Sequence, residues 1–177
     1  KVWYTSEILK TQSFIKIQIN FVETFLYIFE TLKAKSIVEE GLKKDIHFLF
    51  KDEETAVKDI ELKAYSLKEI LAEKIRAVLT RKGFKTRDFV DIYLIIKKTG
   101  ISLDDMEQDA ILKTLFMLRY EKYLKNLKEK RISDFEVFDE EKIMLNPLDK
   151  NFFLFMKESK PFFKRLSEKI DENNEEN

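Results

Sequence analysis

The sequence predicts an α+β fold, with a small β-sheet in the first part of the chain and helices in the rest. Residues 13–21 alternate between apolar and polar side chains, which is typical of a strand with one buried face. After Tyr65 the apolar residues recur every three or four positions, which is the spacing of an amphipathic helix. Because the strands come first and the helices follow, the two kinds of structure should be segregated along the chain.

Two further strands are predicted more weakly before the helices begin. Residues 46–50 and 57–62 are short runs rich in apolar side chains. Residues 23–35 fit neither the strand nor the helix pattern. We therefore expect a sheet within residues 1–64 and a helical part over residues 65–170, packed as one compact unit.

Two helices with clear start and stop signals follow the sheet. Ser66 with Glu69 three positions later is a capping box, which predicts a helix from Ser66 to Lys82. Residues 86–98 form the second predicted helix, which should end at Gly100.

The helical pattern continues to near the end of the chain. Ser102 is the next predicted N-cap, and the helical stretch after it should reach Lys130 with one break. Asn146-Pro147 indicates a turn, and residues 149–170 should be helical with a kink or break at Pro161. Residues 171–177 are acidic and polar, and we expect them to be disordered.

Composition excludes several kinds of site and location. The chain has no Cys and one His, so thiol catalysis, disulfides and Cys- or His-based metal clusters are excluded. No apolar run approaches the ~18 residues needed to span a membrane, and no signal peptide is present, so we predict a cytoplasmic protein without membrane contact. The sequence begins with Lys1 and not with Met, which leads us to expect either a fragment or a processed product of a longer protein.

The charges balance overall but are unevenly distributed. Lys and Arg together number 33, as do Asp and Glu. From Lys63 to Lys98 there are ten basic residues against four acidic ones, whereas from Arg131 to the end there are eight against twelve. The basic middle segment fits either a surface for RNA phosphates or ordinary solvated helix faces, of which the second is more common.

A lysine lies on the apolar face of the first predicted helix. On a helical wheel Lys74 falls within the apolar stripe, and Arg81 lies near the same line two turns later. Burying an unpaired ammonium is costly, so Lys74 should either reach water past the helix edge or bind a partner. We predict that the opposite face is exposed to solvent. This face comprises Glu69, Glu73, Arg76 and Thr80.

Two aspartates in the second helix are the natural partners of these cations. Asp91 is the only charge in the apolar run of residues 89–96, and Asp88 lies one turn before it. A short connection makes the two helices antiparallel neighbours, so both aspartates can meet Lys74 and Arg81. The result is either a buried ion-pair network or the lining of a cleft.

These two helices carry a resemblance to a known family. Residues 65–79 read YSLKEILAEKIRAVL and residues 85–93 read KTRDFVDIY. Together they resemble the two downstream motifs of the AbiEii/AbiGii nucleotidyltransferase toxins of type IV toxin–antitoxin and phage-abortive (abortive infection) systems. The strand FIKIQINF, residues 14–21, also resembles a core strand of that family.

The resemblance implies a partial nucleotidyltransferase-like fold and the chemistry of polymerase β-type enzymes, which transfer a nucleotide from an NTP with Mg²⁺. It implies that Lys74 contacts the triphosphate and that Asp91 positions this lysine or assists as a base. Arg81, Arg87 and Asp88 would have supporting roles in substrate binding. The implied partners are an antitoxin protein and an RNA or protein acceptor.

The sequence departs from the family pattern at the metal site. The family opens with a Gly-Gly-Ser/Thr turn and an Asp-x-Asp strand, and neither is present in residues 1–177. No metal ligands are therefore evident, and Mg²⁺ and NTP are expected for the intact family only. The alternatives are a catalytically inactive binding or assembly module, a decayed remnant of the family, or a scaffold that the Lys–Asp network stabilises.

Two apolar segments have open interpretations. Residues 112–123 are rich in Leu, Phe, Met and Tyr, and fit the protein core or a surface for the antitoxin, the core being more common. Residues 152–163 are rich in Phe and fit a core or an interface equally.

Overall fold

The computed structural model describes residues 1–6, 10–15, 17, 23–35, 38–49, 59–132 and 150–175. Strands lie in the N-terminal part and helices make up the C-terminal half, so the predicted α+β class is confirmed. The predicted turn at Asn146-Pro147 lies outside the described residues.

Two antiparallel strand pairs make up the sheet structure of the described residues. Strand β1 (Val2–Thr5) pairs with β2 (Gln12–Ile15), and β3 (Glu30–Ala34) pairs with β4 (Ile60–Ala64). The strand predicted over residues 13–21 thus begins within β2, and its residues 18–21 lie outside the described part. The strand predicted over residues 57–62 overlaps β4.

Helix α1 (Glu40–Leu49) replaces the strand predicted at residues 46–50, and that prediction was wrong. The short apolar run at 46–50 is too brief to separate the strand period from the helix period. The longer segment places Leu42, Ile46 and Leu49 on one helical face, and Lys43 forms an ion pair with Glu40 at 2.5 Å, one turn away.

Helices α2 (Leu67–Thr80) and α3 (Thr86–Thr99) agree with the sequence prediction. The Ser66 hydroxyl accepts a hydrogen bond from the Glu69 backbone N–H at 3.1 Å, which caps α2. Gly100 ends α3 in the left-handed conformation with φ 73°, where a side chain would be strained.

The next helical stretch has the predicted break, between its two α-helices, and also begins with a 3₁₀ turn that was not predicted. A 3₁₀ turn (Asp104–Met106) leads into α4 (Glu107–Leu118), and α5 (Glu121–Lys128) follows after a short break. Ser102 caps this stretch, since its hydroxyl accepts from the Asp105 N–H at 3.1 Å and Asp105 accepts from the Ser102 N–H at 2.9 Å. The Ser102 hydroxyl also donates to the Asp105 carboxylate at 2.7 Å, and this hydrogen bond, together with that from the Ser102 N–H, lowers the pKa of the Asp105 carboxyl.

Helix α6 (Lys150–Glu175) differs from its prediction in two respects. It passes through Pro161 without a break, because one lost hydrogen bond is offset by core packing on both sides of the proline. It also extends through Asp171–Glu175, which we had expected to be disordered. The aromatic segment 152–163 contributes mainly to the core, with Phe152, Phe162 and Phe163 buried and Phe153 exposed.

Helix α2 lies at the centre of the helical part, packed against α3, α4 and α5. For this reason the assignment of its polar face to solvent was wrong. Glu69, Arg76 and Thr80 are buried, and Glu73 is half-buried. A helical wheel reveals the most apolar face of a helix, but it does not show how many neighbours the helix has. In the described ranges, no helix is long and apolar enough to cross a bilayer.

Candidate functional site

Lys74 and the two aspartates meet between α2 and α3, as the helix pair predicted. The Lys74 ammonium lies 2.5 Å from Oδ2 of Asp91 and 3.3 Å from Oδ1 of Asp88. The Lys74 side chain keeps 24% of its surface exposed and that of Asp91 keeps 42%. The ammonium therefore lies at the rim of the helix pair, between two acids and within reach of solvent.

Arg81 completes this group by binding the buried aspartate. Its Nη1 donates to both carboxylate oxygens of Asp88, at 2.8 and 3.1 Å. Asp88 is only 1% exposed and occupies the first turn of α3, where the helix dipole also favours a negative charge. A buried carboxylate needs such partners, since leaving it unpaired would be costly.

We call Lys74, Arg81, Asp88 and Asp91 the site cluster. The structure thus brings four of the five predicted site residues into direct ion pairs. The fifth, Arg87, is exposed on the first turn of α3. Two positive and two negative charges balance, and the exposed ends belong to Lys74, Arg81 and Asp91.

A second ionic group, which the sequence did not predict, lies on the opposite side of α2. Lys113 of α4 is 1% exposed, and its ammonium contacts Glu69 at 2.6 Å, Glu23 at 3.2 Å and Glu73 at 3.7 Å. It also donates to the Thr24 carbonyl at 2.9 Å. Burial lowers the pKa of Lys113, but the hydrogen bond to Glu69 and the neighbouring acids outweigh it and raise the pKa above its ordinary value.

This group fastens the segment before β3 to the helical part. The other oxygen of Glu69 accepts from the Leu26 and Tyr27 backbone N–H groups, both at 3.0 Å. Tyr27 also donates a short hydrogen bond to Asp109, which raises the pKa of the Tyr27 hydroxyl to about 12. The Glu69 carboxylate therefore does not lie over the start of α2, where the capping box predicts it. It links residues 26 and 27 to Lys113 of α4.

Arg76 belongs to the same group. Its guanidinium pairs with Glu73 and donates to the Thr80 hydroxyl at 2.8 Å. We call Glu23, Glu69, Glu73, Arg76 and Lys113 the buried cluster. Only the spacing of the α2 members was visible in the sequence, because Lys113 and Glu23 lie far from them along the chain.

A comparison with known families shows to which family the chain belongs. The family model described as nucleotidyl transferase AbiEii toxin, Type IV TA system, matches residues 1–172 of the 177. This chain belongs to the AbiEii family. No curated protein and no solved structure is similar enough to the chain to count as a match. The AbiEii assignment confirms the resemblance seen in α2 and α3 and places the chain among nucleotidyltransferase-like toxins of type IV toxin–antitoxin systems.

The described residues of this AbiEii protein do not fit the Mg²⁺ that the family's chemistry implies. Within the ranges that the structure covers, no group of three or more Asp, Glu or His side chains is arranged to hold a metal ion. The carboxylates of Asp88 and Asp91 already bind the cations of Lys74 and Arg81. We therefore derive no step through a metal.

Proposed function

We propose that this AbiEii protein takes part in nucleotide transfer from an NTP and that the site cluster binds the triphosphate through Lys74. The observation that carries the proposal is the position of the Lys74 ammonium, which is held between two carboxylates at the solvent edge of α2 and α3.

The donor count of Lys74 supports this role. An ammonium has three N–H donors, and the contacts of Lys74 are with two carboxylates, Asp88 and Asp91. One donor therefore remains for a phosphate oxygen. The half-exposed Asp91 can also turn toward solvent when a phosphate arrives, while Asp88 stays fixed by Arg81.

In the transfer we propose, an acceptor oxygen attacks the α-phosphorus of the NTP and pyrophosphate leaves. Lys74 would neutralise charge on the triphosphate, since phosphoryl transfer depends mainly on positioning and electrostatic stabilisation. Asp91 would orient Lys74 or take the proton of the acceptor. Arg81, Asp88 and Arg87 would support substrate binding, and the Mg²⁺ expected for the intact family has no group of ligands among the described residues. The acceptor would be an RNA or a protein, and an antitoxin would be the regulatory partner.

The second candidate is a noncatalytic binding or assembly module of the same family. It is favoured by one observation, the lack of a metal-binding group among the described residues. In this case the site cluster would bind a nucleotide, or only stabilise the helix pair, without transfer.

Label transfer tests the first candidate. The protein is incubated with each of the four α-³²P-labelled NTPs, Mg²⁺ and either total RNA or the protein itself as acceptor. We expect transfer that falls at least about tenfold in Lys74→Met, because a transition-state contact is lost. Lys68→Met is the matched control, since Lys68 is exposed in the first turn of the same helix.

The outcomes separate the candidates. Transfer that depends on Lys74 but not on Lys68 supports nucleotide transfer. Lys74-dependent NTP binding without transfer favours the binding module. Binding and transfer that are unchanged in Lys74→Met would show that the site cluster has neither role.

A further inference from the structure

Lys130, just beyond the end of α5, binds the end of α2 through its side chain. Its ammonium donates to the carbonyls of Val78 at 2.7 Å, Arg81 at 2.5 Å and Gly83 at 2.7 Å. The last carbonyls of a helix have no partner within the helix, so they are free to accept from a cation. All three donors of the ammonium are used in this way.

Further contacts from α5 and Lys130 hold the turn between α2 and α3 in place. The Lys130 ammonium lies 4.4 Å from the centre of the Phe84 ring, within the range of a cation–π interaction. Asn126 of α5 donates to the Thr80 carbonyl at 2.8 Å. The α5 segment therefore holds residues 78–84 at several backbone and side-chain positions.

The same turn carries Arg81, which links Lys130 to the site cluster. Lys130 binds the Arg81 carbonyl, and the Arg81 guanidinium binds the buried Asp88. Asp88 in turn contacts the Lys74 ammonium. A continuous series of contacts thus leads from α5, through the turn, to the proposed triphosphate-binding lysine.

We propose that Lys130 is a positioning residue for the site cluster, acting through Arg81 and Asp88 on Lys74. This inference rests on the proposed function, because the cluster that Lys130 positions is the one assigned to the triphosphate. Lys130 itself does not touch the substrate in this assignment.

Partial burial also affects the protonation of Lys130. Burial lowers the pKa of Lys130 to about 8. The charge of Asp88 opposes this shift, and the charge of Arg81 adds to it. The folded protein therefore disfavours this charge relative to water.

The test compares Lys130→Met with Lys128→Met, which removes an exposed lysine two residues earlier on α5. Two readouts are measured for each: the NMR signal of the Arg81 Nε–H group, assigned by its loss in Arg81→Gln, and the affinity for the four NTPs. We expect Lys130→Met to shift or broaden the Arg81 signal and to weaken NTP binding about tenfold, the size of effect that a misplaced binding group produces. Lys128→Met should match the native protein.

Lys130→Gln keeps the test decisive if Lys130→Met does not fold. Its amide retains two N–H donors, so the loss of affinity and the change in the Arg81 signal should be smaller and should run in parallel. A native Arg81 signal, or native affinity, in both Lys130 variants would overturn the positioning role. Lys74→Met in the same assay reports on the proposed function separately: if it also binds like the native protein, the proposed function fails, and the role of Lys130 fails with it.

Discussion

The two sides of α2 carry two lysine–carboxylate clusters of opposite character. In the buried cluster Lys113 is 1% exposed, whereas Lys74 in the site cluster is 24% exposed. The Lys113 ammonium donates hydrogen bonds to the Thr24 carbonyl at 2.9 Å and to Glu23 at 3.2 Å, and it forms an ion pair with Glu69 at 2.6 Å. Lys74 has two carboxylate partners and one donor to spare.

This difference separates a lysine that holds the fold from a lysine that can bind a ligand. A fully enclosed ammonium such as that of Lys113, surrounded by three carboxylates and a carbonyl, is not accessible to a phosphate. A rim ammonium held by one fixed and one half-exposed carboxylate is oriented and still reachable. A charged side chain on a central helix is therefore not by itself evidence of a binding site. The side chain must also have access to solvent and an N–H donor that can reach a ligand.

Lys113→Met should have the largest effect on stability. It leaves Glu69, which is buried, without its cation, and breaking a buried ion pair costs about 3–5 kcal/mol. Urea denaturation of Lys113→Met against Lys125→Met measures this, because Lys125 is exposed on α5. The double variant Lys113→Met/Glu69→Gln should recover part of the loss. A loss below about 1 kcal/mol for Lys113→Met would contradict the structural role of the buried cluster.

Arg81→Gln should have the next largest effect. It removes both hydrogen bonds from Arg81 to Asp88, a buried acceptor whose incomplete pairing costs about 1–3 kcal/mol. The same variant should weaken NTP binding, because Asp88 no longer holds Lys74 in place. Arg119→Gln is a suitable control, since Arg119 is exposed at the end of α4. Equal stability of the two variants would mean that Asp88 does not depend on Arg81.

Lys74→Met should change stability least among these substitutions, by about 1 kcal/mol or less, as is typical of partly exposed ion pairs. Asp88 keeps Arg81, and Asp91 is exposed enough to be solvated. The main effect of Lys74→Met should be weaker NTP binding. Calorimetry measures the affinity, and urea denaturation of the same variant measures the stability. A stability loss comparable to that of Lys113→Met, with unchanged NTP affinity, would instead identify the site cluster as a scaffold.

The site cluster was predictable because all its members lie within one helix pair. The spacing of Asp88 and Asp91 on α3 is fixed by the helical repeat, Arg81 directly follows the last residue of α2, and the short turn makes the helices neighbours. Local sequence was therefore sufficient to bring these four side chains together.

The buried cluster was not predictable for the converse reason. Glu69, Glu73 and Arg76 looked like a solvent face, because nothing near them in the sequence indicates that α4 covers it. Lys113 and Glu23 reach α2 only through the tertiary fold. The same limit explains the short run at residues 46–50, which is compatible with a strand until the whole of α1 is considered.

The smallest expected effect is on the pH dependence of the free energy of unfolding, in which Lys113 and Lys130 should differ. Lys130 has a pKa of about 8 in the folded protein against an ordinary 10.5. Between these values the unfolded chain holds a proton that the folded protein has released, so the free energy of unfolding should rise with pH. Lys130→Met lacks this group, and its curve should rise less than that of the native protein between about pH 7.5 and 9.5.

Lys113 should behave differently over the same window. Because its folded pKa lies above its ordinary value, its contribution is fully present below about pH 10 and is lost only at higher pH. The cost of Lys113→Met should therefore stay nearly constant from about pH 7.5 to 9.5. Urea denaturation at several pH values measures both differences. Parallel curves for the native protein and Lys130→Met would contradict the lowered pKa and would show that the three carbonyls bound by Lys130 compensate its burial in full.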